Sequence, residues 1–204
     1  MMQKFQTKEE IKNEKPHTTI HRSRRRFRLR RKWLKRHVHR PRDGQTYKTV
    51  QIGNQTWMAE NLNYETANSY CYEDKPANCH KYGRLYTWAA AMQACPDGWH
   101  LPSDAEWETL ITAVGGEDVA GLKLKSTSGW YNDGNGTDEY GFSVLPAGYR
   151  NGDGDYLNAG KDATFWSSTE YRSYIAYSWN FCSDDETVSS GFLFVASGTP
   201  VCEV

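Results

Sequence analysis

The residues able to do chemistry are scattered along the chain rather than gathered into a motif. The five cysteines stand at Cys71, Cys79, Cys95, Cys182 and Cys202. Cys71 and Cys79 enclose a short Tyr/Asp/Pro segment, so in an oxidising compartment they are expected to pair as a local staple of that loop. Cys95 lies far from the two C-terminal cysteines, and a bridge from it to one of them would tie the middle of the fold to its last strand. An odd count leaves one thiol over, and a reducing compartment leaves all five as inert thiols. Cys79, His80, Cys95 and His100 are zinc ligands by residue type. They lack the close Cys pairs of structural zinc sites, and His100 sits in a strand-like Trp-His-Leu-Pro run, so no zinc site is expected.

The carboxylates offer calcium as the one candidate cofactor. Asn151, Asp153, Asp155 and Asp162 match some ligand positions of an EF-hand loop, but Tyr156 occupies the place that needs glycine and Asp162 replaces the closing Glu. That stretch is therefore a decoy; Asp184, Asp185 and Glu186 are a weak candidate by clustering alone, and a solvated acidic loop is the simpler reading. The chain contains no nucleophile elbow, no phosphate-binding glycine loop and no His-Glu-x-x-His motif. No two carboxylates are spaced for acid/base work, so the sequence predicts neither a bound cofactor nor an enzyme.

Recognition chemistry is better represented. Between Gly160 and Ser190 a run of Tyr, Trp, Phe and Arg is mixed with short polar residues, which combines rigid contact area with hydrogen bonding. Strand alternation must bury some of these rings, with Trp166 and Trp179 the expected core members. Tyr171, Arg172 and Tyr174, placed between strands, are the expected exposed ligand-binding residues.

Those side chains need a frame. Ser103 and Glu106 form a capping box, Trp107, Leu110, Ile111 and Val114 make an apolar stripe at helical spacing, and Gly115-Gly116 can stop the helix. The stretch from Cys95 to Leu110 therefore reads as turn, short strand and capped helix. Tyr47 to Ile52 and Gln55 to Met58 flank Gly53-Asn54 and predict a two-residue hairpin. Tyr86 to Ala94 has the composition of another helix. Beyond Gly121, the runs Phe142 to Leu145, Thr164 to Ser167, Ala176 to Phe181 and Phe192 to Val195 alternate with turn residues, as in an antiparallel sheet. The order predicts an α+β fold, two helices packed on antiparallel sheets with long irregular loops.

Specific wording accompanies these elements. Asp43-Gly44-Gln45-Thr46-Tyr47, Gln55 to Leu62, Tyr82 to Trp88, Cys95-Pro96-Asp97-Gly98-Trp99-His100-Leu101-Pro102, Leu145 to Arg150 and Phe165 to Glu170 resemble, in order, the Fibrobacter succinogenes major paralogous domain family. The resemblance runs from Asp43 to about Gly191. It implies a C-type-lectin-like fold in secreted or cell-surface bacterial proteins and no established reaction; together with the aromatic-polar loop composition it leads to polysaccharide or another surface protein as the expected partner. It also implies that Cys95 pairs with a cysteine of the closing strand. Gly191 to Val195 has no such residue, which leaves Cys202 as the displaced equivalent and Cys182 spare. Trp130-Tyr131-Asn132-Asp133 is only similar to the Trp-Asn-Asp element of calcium-dependent lectins, and their Glu-Pro-Asn or Gln-Pro-Asp tripeptide is absent.

Composition divides the chain. Residues 1–42 hold 16 of the 25 Lys+Arg and 3 of the 25 Asp+Glu, a net +13, and the remainder holds 9 against 22, a net −13. The expected organisation is a basic, disordered tail over 1–42, or an extension from an upstream start codon, and one domain over 43–204. Phe27, Trp33, Leu34 and Val38 could instead line a basic helix, and residues 22–42 are the stretch expected to contact nucleic acid or anionic lipid. Ser23-Arg24-Arg25-Arg26-Phe27 opens like a twin-arginine signal but lacks the apolar region that must follow. A mean hydropathy of −0.82 and the absence of an apolar run of about 18 residues predict no membrane span.

Overall fold

The computed structural model describes the backbone of residues 36–39 and the whole of residues 44–201. The fold opens on the expected hairpin. β2 (Thr46–Ile52) and β3 (Gln55–Met58) pair antiparallel with Ile52 opposite Gln55, and Gly53 takes the left-handed φ of 61° that the turn requires. On the outer edge of β2 lies β1 (Arg36–His39), also antiparallel. A strand therefore stands inside the segment expected to be tail or helix, because an open β2 edge offers Arg36–His39 a full set of backbone partners.

Two short strands, β4 (Ser69–Tyr70) and β5 (Leu85–Tyr86), pair across a connection stapled by the Cys71–Cys79 disulfide. That connection holds a 3-10 turn at Tyr72–Asp74 and helix α1 (Pro76–Tyr82). Pro76 suits the first helical position, where its fixed φ is already right and its missing N–H is not needed. Gly83 ends the helix at φ 76°, and a Cβ there would stand 2.7 Å from that of Asn61. α2 (Trp88–Ala94) follows as expected.

The expected helix at Asp104 is α3 (Asp104–Val114), and its capping box is complete. The Glu106 N–H donates to Ser103 Oγ at 3.3 Å, and the Ser103 N–H donates to Glu106 Oε2 at 2.8 Å. Gly115 closes it in a left-handed conformation. The short strand expected before it is not formed, since Pro96, Gly98 and Pro102 leave Trp99 to Leu101 without a ladder. Four α-helices occur among the described residues where two were expected. The other unexpected one, α4 (Glu117–Leu124), carries Gly121 against the carbonyls of Glu186 and Thr187, an approach any Cβ would block.

The second half is irregular until a long sheet. Phe142 to Leu145, expected as a strand, makes one bridge only, Lys125 to Val144. Ser143 has φ 60° and is clasped by the Asp138 carboxylate, so Phe142 and Val144 reach the core from a loop. After β6 (Tyr149–Arg150) and β7 (Tyr156–Leu157) come β8 (Asp162–Arg172), β9 (Ile175–Cys182) and β10 (Val188–Phe194), antiparallel in the order β10-β9-β8. The fold is mixed α+β with small antiparallel sheets.

Register divides the core in two. Ala163, Phe181 and Val188 align, as do Phe165 and Trp179, and this face packs on α3 through Trp107, Leu110, Ile111 and Val114. Trp166, Ala176 and Leu193 point the other way, toward Tyr47, Met58, Tyr86 and α2. Trp107 is the hub, with ring centroids 5.0 Å from Trp57, 5.7 Å from Phe165 and 6.2 Å from Trp179. Burying an indole costs free energy unless its N–H finds an acceptor. Here Trp107 donates to Trp166 O, Trp166 to Tyr86 O and Trp179 to Asp104 Oδ1.

Candidate functional site

The bond from Trp179 to Asp104 marks where helix cover ends on the sheet. Past that point β8, β9 and β10 run on, and the same face continues through Tyr177 opposite Phe192 and Ile175 opposite Phe194. Register shifts in β8 around Glu170 bring Tyr171 onto this face. Ser173 and Tyr174 form the two-residue connection to β9.

The result is an ordered aromatic platform. The Tyr171 ring lies parallel to Phe192, with centroids 5.0 Å apart and planes 6° apart, and meets Tyr177 edge-on at 5.4 Å. Tyr174 stacks over Phe194 at 6.5 Å and 15°. The Arg172 guanidinium sits 5.1 Å from the Tyr171 ring centroid, a cation–π contact. Exposures of 41% for Tyr171, 55% for Tyr174, 58% for Phe192 and 62% for Phe194 show rings held in place yet open to solvent. With about 200 Å² per ring, these four leave on the order of 400 Å² of aromatic surface in water. Single exposed rings are ordinary; a contiguous patch of this size matches the largest apolar patch of a typical monomer, which is often functional.

The sequence-predicted residues Tyr171, Arg172 and Tyr174 are thus brought together and exposed. Phe192 and Phe194, which supply the other half of each stack, were expected only as part of a strand. The signal was present in Phe192-Leu193-Phe194, where alternation must turn either the two phenylalanines or the leucine outward. Trp166 and Trp179 are buried as expected.

Other candidates resolve differently. Cys71 and Cys79 are bridged, with Cα atoms 4.9 Å apart. Cys95 packs in the cluster that contains Val201, and its thiol approaches Ala91 O at 3.8 Å. Its proposed partner Cys202 lies outside the described residues. Burial, with Asp162 and Asp184 nearby, pushes the Cys182 thiol up to about 11, so it stays protonated at neutral pH. His100 Nε2 pairs with Glu106 Oε1 at 2.8 Å, and Cys79 is consumed by the disulfide, so the zinc-type set is not brought together.

The calcium candidates meet a cation from their own chain. Lys125 is 2% exposed, and its Nζ donates to Cys182 O at 2.9 Å and Asp185 O at 2.7 Å, inside the loop of Asp184, Asp185 and Glu186. Burial pushes the lysine down from its ordinary value, against the opposing pull of Asp185 and its neighbours. Asp185 Oδ1 accepts from the Thr187 N–H, which holds that carboxyl below its usual range. In the EF-hand-like stretch, Asn151 Oδ1 accepts from the Asp153 and Asp155 N–H groups, an Asx turn. Among the described residues no group of three or more His, Cys, Asp or Glu is arranged to hold a metal ion, and no helix is long and apolar enough to cross a membrane.

Residues 50–192 match the family model of the Fibrobacter succinogenes major domain, a span that contains the platform up to Phe192. Comparison with curated proteins and with solved structures returns no match.

Proposed function

Because the chain belongs to the Fibrobacter succinogenes major domain family, we propose that it is a non-catalytic binding module with a C-type-lectin-like fold. In this reading it is secreted or held at a bacterial cell surface, and it grips polysaccharide through Tyr171, Arg172 and Tyr174 together with Phe192 and Phe194. The observation that carries the reading is the pair of exposed, mutually stacked aromatic couples on an uncovered sheet end. Sugar rings present C–H faces that stack on aromatic planes, while Arg172 and the two phenols supply directional hydrogen bonds at the rim. The rings are already ordered against one another, so little side-chain entropy is lost when a ligand covers them.

Glycan-array and protein-array binding of the full chain tests it. Polysaccharide binding that falls at least about tenfold, roughly 1.4 kcal/mol, in the Tyr171→Ala/Arg172→Ala/Tyr174→Ala variant is the expected result. Polysaccharide affinity left unchanged by the triple substitution shows the site to be wrong. Binding to a protein alone assigns the platform to a surface-protein partner. Absence of any ligand, with association into a cell-surface assembly, leaves a scaffold that displays other domains.

A further inference from the structure

A second concave surface lies around the disulfide-stapled connection. It comprises two adjoining cavities, of about 600 and about 420 Å³, that share Gln45, Asn63, Cys79 and His80 in their walls. Each falls within the roughly 300–1,000 Å³ usual for small-molecule sites. From this geometry we infer that the groove formed by Gln45, Asn63, Tyr70, Asp74 and His80 is a binding site for an uncharged saccharide unit, separate from the aromatic platform.

Charge balance selects the ligand class. Among the described residues, the walls of the two cavities carry three fixed cations, Lys48, Lys81 and Arg84, and three carboxylates, Glu60, Glu65 and Asp74. Lys48 pairs with Glu60 at 2.8 Å and Arg84 with Glu65 at 2.8 Å. An anionic ligand such as a nucleotide finds no excess positive charge here, and a cation finds no excess negative charge. The Asn63 amide and the Asp74 carboxylate instead place a donor and acceptors along one wall, which suits the hydroxyls of a pyranose, while the Gln45 amide is held between Tyr47 Oη and Asn63 O. The Tyr70 ring adds an aromatic wall, and the Arg150 guanidinium, 4.2 Å from its centroid, fixes it from behind.

The wall is also set before any ligand arrives. Glu73 and Asp74 both hold left-handed φ values of 53°, a costly conformation for residues with a Cβ. The Cys71–Cys79 bridge constrains the loop, and Tyr156 Oη donates to Asp74 Oδ1 at 2.5 Å, which positions one carboxylate oxygen. Tyr156 in turn packs on Tyr72 at 5.4 Å. A loop closed covalently beside a cavity has little further freedom to lose when a ligand binds.

Binding of glucose, galactose, mannose, N-acetylglucosamine and their 1,4-linked dimers to the full chain, followed by backbone chemical shifts, tests the site. Glucuronate and glucose 6-phosphate serve as charged controls. Expected is binding of at least one neutral sugar with shifts centred on Asn63, Tyr70 and His80. Asn63→Ala/Asp74→Asn should weaken the binding read at those three residues at least about tenfold, and the same shifts should persist in Tyr171→Ala/Arg172→Ala/Tyr174→Ala, where only signals at the platform are lost. Shift mapping on the unaltered chain locates the sugar even if the groove variant fails to fold. The proposal is overturned if no neutral sugar binds at about 10 mM, the weak end of measurable affinity. Tighter binding of a charged control, or shifts confined to the platform, overturns it as well.

Discussion

Lys125 shows how one side chain can settle a question that local sequence leaves open. Asp184, Asp185 and Glu186 read as a calcium-attracting acidic cluster only because the cation that enters their loop is 57 residues from Cys182 and 60 from Asp185, the two residues whose carbonyls it binds. No spacing rule links Lys125 to that loop; the approach of α4 to the start of β10 makes the link. Lys125→Met keeps the length of the side chain but leaves the carbonyls of Cys182 and Asp185 without their donor, so we expect a loss of about 2–3 kcal/mol in urea denaturation. The pH dependence has a definite sign. Burial lowers the Lys125 pKa from 10.5 in the folded protein, so the unfolded chain binds this proton more tightly. Stability therefore rises with pH between the depressed native pKa and 10.5. The wild-type advantage over Lys125→Met should widen across that window, and a constant gap would assign the lysine a packing role only. The platform shows the same limit of legibility. Tyr171 and Tyr174 were readable as exposed because they lie between two strand-like runs, although β8 extends through Tyr171 and Arg172; the stacking of each ring on Phe192 or Phe194 depends on a register that is not local.

Elements were legible where their signals were local and redundant. The β2–β3 hairpin follows from Gly53-Asn54 between two β-branched runs, and α3 follows from its cap, stripe and stop. α1 and α4 were not legible. The first is seven residues long and is held by a proline start and a disulfide, and the second contains Gly121, unfavourable in a helix interior unless a backbone must approach closely. The cap of α3 yields a prediction at this scale. Ser103→Ala should cost about 1 kcal/mol. Burial pushes the Glu106 carboxyl up, but its bonds with the Ser103 N–H and hydroxyl and with His100 outweigh that and hold it below 4.5. Its contribution is present above the ordinary glutamate value and is lost as pH falls through the lowered one. The stability gap between wild type and Glu106→Ala should therefore shrink as pH falls from about 4.5 through the lowered native value in thermal or urea denaturation. A gap that persists at the acid end would show that the carboxylate charge is not what closes the cap.

At the scale of the molecule, the decisive quantity is the opposition between a +13 segment over residues 1–42 and a −13 remainder. A body so acidic repels nucleic acid and anionic lipid, so any affinity for them must come from the basic segment and must be salt-dependent. β1 bears on where the segment can be cut. Removing residues 1–42 would also strip Arg36–His39 from β2 and expose an edge, which confounds a binding test with a structural one. Residues 1–31 hold 11 Lys+Arg against 3 Asp+Glu, a net +8, and the unit that contains β1 begins at Lys32. Cutting there removes most of the charge and spares the strand. If the segment neutralises at least six phosphates, duplex DNA affinity of the full chain should fall on the order of 10³-fold between about 50 and 200 mM salt. The chain from Lys32 onward should bind far more weakly and with a shallower salt slope, because fewer counterions are released. It should keep the polysaccharide affinity assigned to the platform. Equal DNA binding by the two chains, or a salt slope unchanged by the truncation, would show residues 1–31 to be dispensable and place the anionic-polymer contact on Lys32, Lys35, Arg36, Arg40 and Arg42, which the truncation retains.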